Sequence, residues 1–346
     1  MRVPILLLAL TLAAMLAGAV TVHGEVVNTE QELTVPDPDA HLKDQIARLT
    51  VPVPEVAVDM DHLWAASTAE RPLVERLTIG VLRSRVHPES KQVRWERCGE
   101  EVAEDDLVFE AALWAAHFLA ALEEVERQTG VALNPWGAFA TMANESGMNE
   151  CALCFAARKW AATHVGKVLI TETWRGRTAT RKVEKKVVDK FRLTYDRDTV
   201  WGIVTHPDFA KGKVQVKMKS GKVVTMHMGN KFDGGPWQMR YSMKHLTREQ
   251  FDQLTSIVPG LYIGAEEMAR RALFYSSRYR VRDPHPRPWM LWPGADPFAE
   301  RNLWYNSKIT TVARWLGATR EEMPLWIPVV TEGRKRTYRM EGVRVR

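Results

Sequence analysis

From Asp105 to Gly147 large apolar residues recur at helical spacing, and this run constrains the fold more than any other feature of the chain. Leu107, Ala111, Leu113, Trp114, Phe118, Leu119 and Leu122 mark one helix, which Gly130 ends. Asn134-Pro135 opens a second, with proline at an early position where its missing N–H is tolerated. Trp136, Phe139, Ala140 and Met142 lead toward Asn144-Glu145-Ser146-Gly147, where glycine supplies a stop. Glu145 is then expected on the last turn, where the helix dipole disfavours a carboxylate. An acid held against that preference is a candidate functional group.

Residues 156–232 change character. Lys213 to Lys219 alternates Val with Lys, Ser220-Gly221 follows, and Lys222 to Met226 is again rich in Val and Thr, which predicts a β-hairpin. Arg181 to Tyr195 reads as further strand. The block holds 18 Lys+Arg against 6 Asp+Glu, a net charge of +12. The whole chain carries +6, so everything outside the block sums to −6. After Gly234-Gly235-Pro236-Trp237-Gln238, helices return. Thr247-Arg248-Glu249-Gln250 is a capping-box pattern opening a helix to about Ile257. Further helices are expected over Gly264–Arg280 and Phe298–Leu316, separated by the prolines at 284, 286, 288 and 293. Thr319-Arg320-Glu321-Glu322 is able to cap a last short turn.

The fold class expected is α+β: a mainly helical domain, residues 105–155 and 233–318, interrupted by a basic β-rich insertion, residues 156–232. Residues 25–104 read as a leader or N-terminal extension, and residues 319–346 as a basic C-terminal tail, expected to be loosely ordered from Thr331. Ahead of these, Arg2 and the uncharged apolar run Ile5–Ala19, with Ala17-Gly18-Ala19 as a small-x-small site, make residues 1–24 a secretory signal peptide. An uncleaved N-terminal anchor is the other reading of that segment. Export permits disulfides. Of the three cysteines, Cys98 pairs with Cys151 or Cys154, leaving one thiol. Cys151 and Cys154 form a C-x-x-C without the two further ligands zinc needs, so no metal and no cofactor are expected. Thirteen Trp residues serve either core packing or sugar stacking.

Three motifs follow in order: Ala143-Asn144-Glu145-Ser146-Gly147, Gly235-Pro236-Trp237-Gln238, and Trp304-Tyr305-Asn306-Ser307 followed by Val312-Ala313-Arg314-Trp315-Leu316. Together they resemble the soluble-type lytic transglycosylases of the lysozyme-like superfamily. That family carries Glu-Ser-Gly at a core-helix end, Gly-x-x-Gln in the next loop or hairpin, and Ala-Tyr-Asn-Ala-Gly on a later helix. The resemblance covers about residues 105–155 and 233–318. The chain departs from it in the roughly 80 residues between the first two motifs, in Ser307-Lys308 where the family has small residues, and in Phe232-Asp233-Gly234 ahead of the second motif.

The resemblance implies a lysozyme-like fold that cleaves peptidoglycan glycan strands, with Glu145 as general acid and then base. It implies that Tyr305 orients Glu145 and that Gln238 lines the cleft. Ser146 and Asn306 support the site, and Trp237 and Met239 are candidate substrate contacts. Protonation of a leaving oxygen near neutral pH needs a carboxyl whose pKa is raised by apolar burial, for which Met142, Trp136 and Trp237 are candidate neighbours. Asp233 is a candidate second carboxylate, which would favour hydrolysis by a positioned water as in goose-type lysozymes. A lysozyme-type hydrolase, a phage lysis enzyme among them, and a non-catalytic wall-binding protein on the same scaffold are the competing function classes.

The expected setting is the periplasm or the cell exterior, and the expected state is a monomer. The basic block suits anionic wall polymers or a membrane surface. Nucleic acid fits by charge alone, but the signal peptide argues against it.

Overall fold

The computed structural model describes residues 53–324 except 67–68, 165–168, 175–176, 183–185, 188–192, 219, 243–245, 280–288 and 290–299, and beyond these the segments 326–330 and 336–340. The expected signal segment, residues 25–52 of the expected extension, and all of the proline-rich stretch 284–293 except Trp289 lie outside the described residues.

Among the described residues the helices are α1 (Met60–Ala65), α2 (Leu73–Ser84), α3 (Leu107–Thr129), α4 (Pro135–Ser146), α5 (Phe155–His164), α6 (Arg197–Val204), α7 (Arg248–Leu254), α8 (Ile257–Tyr279) and α9 (Glu300–Leu316). The strands form two-stranded antiparallel pairs: β1 (Glu96–Arg97) with β2 (Glu100–Glu101), β3 (Leu169–Trp174) with β4 (Arg177–Lys182), and β5 (Lys186–Val187) with β6 (Leu193–Thr194). They continue with β7 (Lys213–Lys217) and β8 (Val223–His227), β9 (Lys231–Gly234) and β10 (Met239–Ser242), and β11 (Trp326–Val330) and β12 (Arg336–Met340). Helices and separate small sheets make the fold α+β.

Punctuation residues act as the sequence predicts. Gly130 takes the left-handed conformation after α3, with φ 69°. Asn134 caps α4 by accepting the Gly137 N–H at 3.0 Å, and Gly147 closes it at φ 63°. Thr247 and Gln250 form the capping box of α7. Thr319 and Glu322 close the turn after α9 reciprocally, through Thr319 N–H to Glu322 Oε2 at 2.8 Å and Glu322 N–H to Thr319 Oγ1 at 3.2 Å.

The main core gathers Leu77 and Leu82 of α2, Trp114 and Phe118 of α3, Phe139 of α4, Met268 of α8 and Ile309 of α9. Trp114 and Phe139 meet edge to face with ring centroids 5.8 Å apart. Burial of each such side chain contributes about 1.5–3 kcal/mol.

Residues 73–84, assigned from sequence to an extension, thus supply a helix of this core. Arg76 fixes it there. The side chain is buried and donates to both oxygens of Glu322, at 2.8 and 2.5 Å, and to the Gly317 carbonyl at 3.0 Å.

A second core lies within and beside the insertion. Trp160, Val200, Ile203, Phe209 and Phe232 pack there with Phe251 of α7. The insertion contains α5 and α6 as well as hairpins, so it is more helical than its alternating Val and Lys suggest. The C-terminal segment also differs from the loosely ordered tail expected, because β11 pairs with β12 in register from Trp326–Met340 to Val330–Arg336.

Candidate functional site

Glu145 sits on the last turn of α4, and two features of the sequence put it there. Gly147 ends the helix two residues on. Met142, one turn earlier, is fully buried and anchors the helix end in the core. Burial raises the pKa of the Glu145 carboxyl above the ordinary carboxylate value. Hydrogen bonds from the Tyr305 hydroxyl and from Asn144 oppose that rise, as does the positive charge of Lys308, and the charge of Asp233 adds to it. Its place at a helix C-terminus acts in the same upward direction.

Tyr305 comes from the second turn of α9 and is 6% exposed. Its hydroxyl donates to Glu145 Oε1. Burial raises its own pKa, and the neighbouring Glu145 raises it further, so it stays protonated and remains a donor. Asn144 Nδ2 donates to the same oxygen at 3.0 Å. One carboxyl oxygen is therefore held by two donors from different elements.

The second wall is the β9–β10 hairpin. Gly235 adopts φ 75° and Gln238 φ 50°, and the Gln238 N–H returns to the Gly235 carbonyl at 3.1 Å. Ser146 joins this turn to α4, its hydroxyl donating to the Pro236 carbonyl at 2.6 Å. Gln238 Nε2 donates to the Ala152 carbonyl at 2.9 Å and to Gly235 at 3.1 Å. The segment after Glu145 runs alongside β9, with Leu153 bridged to Gly234 and the Cys154 N–H donating to the Asp233 carbonyl at 2.9 Å. A disulfide between Cys98 and Cys151 ties the same segment to the β1–β2 turn, leaving Cys154 as the free thiol.

The three motifs therefore converge on Glu145, but their residues divide. Tyr305, Ser146, Gln238 and Asp233 are joined to Glu145 or to the two walls beside it. Met239 is partly buried against the main core. Trp237 is 1% exposed and faces inward against Gly264 of α8, where a Cβ would come within 2.1 Å of its ring. The indole packs in the core and is not placed to stack on a sugar. Asn306 is buried too, and its Oδ1 accepts the Trp289 indole N–H at 3.1 Å, so it braces α9 from behind. Trp136 is not a neighbour of Glu145. It occupies the first turn of α4, nine residues and about 14 Å along the helix, where Arg76 lies over its ring at 5.2 Å.

Asp233 is held by Arg240, its partner across the hairpin, through Nε at 2.8 Å and Nη2 at 3.1 Å. Both of its oxygens are engaged, which reduces its capacity to polarise a water.

Three residues of the site carry no role in the sequence reading: Asn144, Lys308 and Arg240. Lys308 follows Tyr305 by three positions on one helix and so shares its face. The signal for Arg240 is the hairpin register, which puts it opposite Asp233.

Among the described residues no group of three or more His, Cys, Asp or Glu side chains is placed to hold a metal ion. A cavity lined by Leu73, Asn134, Trp136, Trp289 and Glu322 lies at the other end of α4, away from the acid. Comparison with protein-family models, with curated proteins and with solved structures finds no match to the chain.

Proposed function

We propose that the chain is a lytic transglycosylase that cleaves the β-1,4 bonds between N-acetylmuramic acid and N-acetylglucosamine in peptidoglycan, on a lysozyme-like helical scaffold. The observation that carries this reading is the Glu145 carboxyl, its pKa raised by burial and one oxygen held by Tyr305. The order and content of the three motifs support it further.

In this reading protonated Glu145 gives its proton to the glycosidic oxygen as the C1–O bond breaks. The N-acetyl oxygen of the same sugar stabilises the cationic C1. Glu145, now a carboxylate, takes the proton of the 6-hydroxyl as O6 closes on C1. The products are a chain end with a free 4-hydroxyl and a 1,6-anhydro ring, and the enzyme returns to its starting state without consuming water. A single acid is enough for this chemistry. Tyr305 keeps the carboxyl aimed, and Gln238 lines the cleft with the oxygen its two donor bonds leave unused.

A hydrolytic outcome is the second reading, favoured by the proximity that lets the Asp233 charge act on Glu145. The bidentate Arg240 contact argues against it, because both Asp233 oxygens are already engaged and a water would have to displace the guanidinium to reach them. The N-terminal apolar segment and the Cys98–Cys151 disulfide support an exported, envelope-associated protein. The test is release of soluble fragments from purified peptidoglycan by the parent chain and by Glu145→Gln. Loss of release in the variant is expected, by a factor on the order of 100 or more. Equal release by both would end this assignment.

A further inference from the structure

We infer that the β7–β8 hairpin is a docking element for an anionic lipid surface.

From Phe209 to Phe232 the chain has no Asp or Glu and six Lys, the longest acid-free stretch of the basic block. Residues paired across an antiparallel hairpin share a face. Val216 and Val224 face inward, and Val216 is 3% exposed in the structure. Lys213 and Lys217 lie on the outer face, both exposed, with Lys217 opposite Val223.

The hairpin end is apolar as well as basic. Met218 is 48% exposed and Val223 53%, on either side of the turn, beside exposed Lys217 and Lys222. The turn is closed by its own backbone, through Met218 N–H to the Lys222 carbonyl at 2.8 Å and Gly221 N–H to the Met218 carbonyl at 2.9 Å. These bonds fix Met218 and Lys222 on either side of the turn, which lowers the ordering needed on binding.

Lysines alone would suit any polyanion. Two large apolar side chains held outward among them suit a partner that offers anionic headgroups and, just beneath, hydrocarbon. Met218 and Val223 alternate onto opposite faces of the hairpin end, so the tip would enter end-on, both side chains reaching the acyl boundary while Lys213, Lys217 and Lys222 meet the headgroups. Among the described residues no helix is long and apolar enough to cross a membrane.

The test is amide hydrogen exchange of the full chain with vesicles of phosphatidylglycerol and phosphatidylcholine. The apolar segment 5–19 can itself partition into lipid, so the signal is read only at residues 213–227. Slowed exchange there is expected on anionic vesicles at low salt, but not on phosphatidylcholine alone and not in 0.5 M salt. Two exposed-residue variants separate the contributions. Lys213→Gln/Lys217→Gln/Lys222→Gln should weaken vesicle-induced protection about a hundredfold, from about 1 kcal/mol per lysine at an anionic surface. Met218→Ser/Val223→Ser should weaken it about tenfold. No protection of 213–227 on anionic vesicles would overturn the proposal. So would full protection in the serine variant, or equal protection by soluble polyphosphate, either of which would mark a polyanion site instead.

Discussion

The hydroxyl of Tyr305 donates to Oε1 of Glu145 across 160 positions of sequence, joining the ends of two helices that pack on each other. A donor to the carboxylate favours its charged form, so this bond works against the burial that raises the Glu145 pKa. Under the proposed function the acid must carry a proton, so activity is expected to fall as pH rises through the Glu145 pKa.

Tyr305→Phe removes that donor. The alkaline limb of the pH–activity profile should move to higher pH, while the maximal rate falls on the order of 10- to 100-fold because the acid is no longer aimed. Asp233→Asn should do the reverse to the limb. It removes a negative charge that raises the Glu145 pKa and frees the positive charge of Arg240, and both changes move the limb to lower pH. Profiles of kcat/KM for the two variants check the signs, and a shift in the same direction in both would contradict this electrostatic scheme.

Glu145 should also cost stability. A carboxyl whose pKa is raised on folding binds its proton more tightly in the folded chain. Its favourable contribution is complete below the ordinary value of 4.5 and is lost as pH rises through the folded value. Glu145→Gln cannot ionise. It is expected to be more stable than the parent at pH 7 to 8, on the order of 1 kcal/mol as is usual for a functional acid, with the gain vanishing near pH 4. Urea unfolding at the two pH values measures this.

Ser146 is a link in the site more than a contact for substrate. Ser146→Ala leaves the buried Pro236 carbonyl without the hydroxyl at 2.6 Å. The expected loss is about 1–3 kcal/mol in unfolding free energy. The β9–β10 turn should also loosen from α4, so activity falls beyond what the loss of folded protein explains. Unfolding midpoints and specific activity of the folded fraction separate the two effects.

Much of the scaffold around Glu145 is legible because its signals are local. Gly130, Asn134-Pro135 and Gly147 fix the ends of α3 and α4 wherever the rest of the chain lies. The place of α2 is not legible in this way. Arginine is rarely buried without a partner, yet Arg76 is 6% exposed, and its partner Glu322 lies 246 residues away. Trp237 has the same character. Stacking and packing are equally compatible with Gly-Pro-Trp-Gln, and the choice is made by Gly264, which leaves room for the indole on α8. Asn306 is turned inward by Trp289, and Asp233 is quenched by a residue that only strand register brings opposite. Long-range partners, more than local propensity, decide which motif residues gather around Glu145.

The most direct measurement is mass spectrometry of soluble fragments from purified peptidoglycan digested by the parent chain, with Glu145→Gln alongside. Fragments ending in 1,6-anhydro-N-acetylmuramic acid from the parent, and almost none from the variant, are the result predicted by the proposed function. Reducing ends in place of the anhydro ring would contradict it and point to water placed by Asp233, and fragments undiminished in the variant would remove Glu145 from the chemistry.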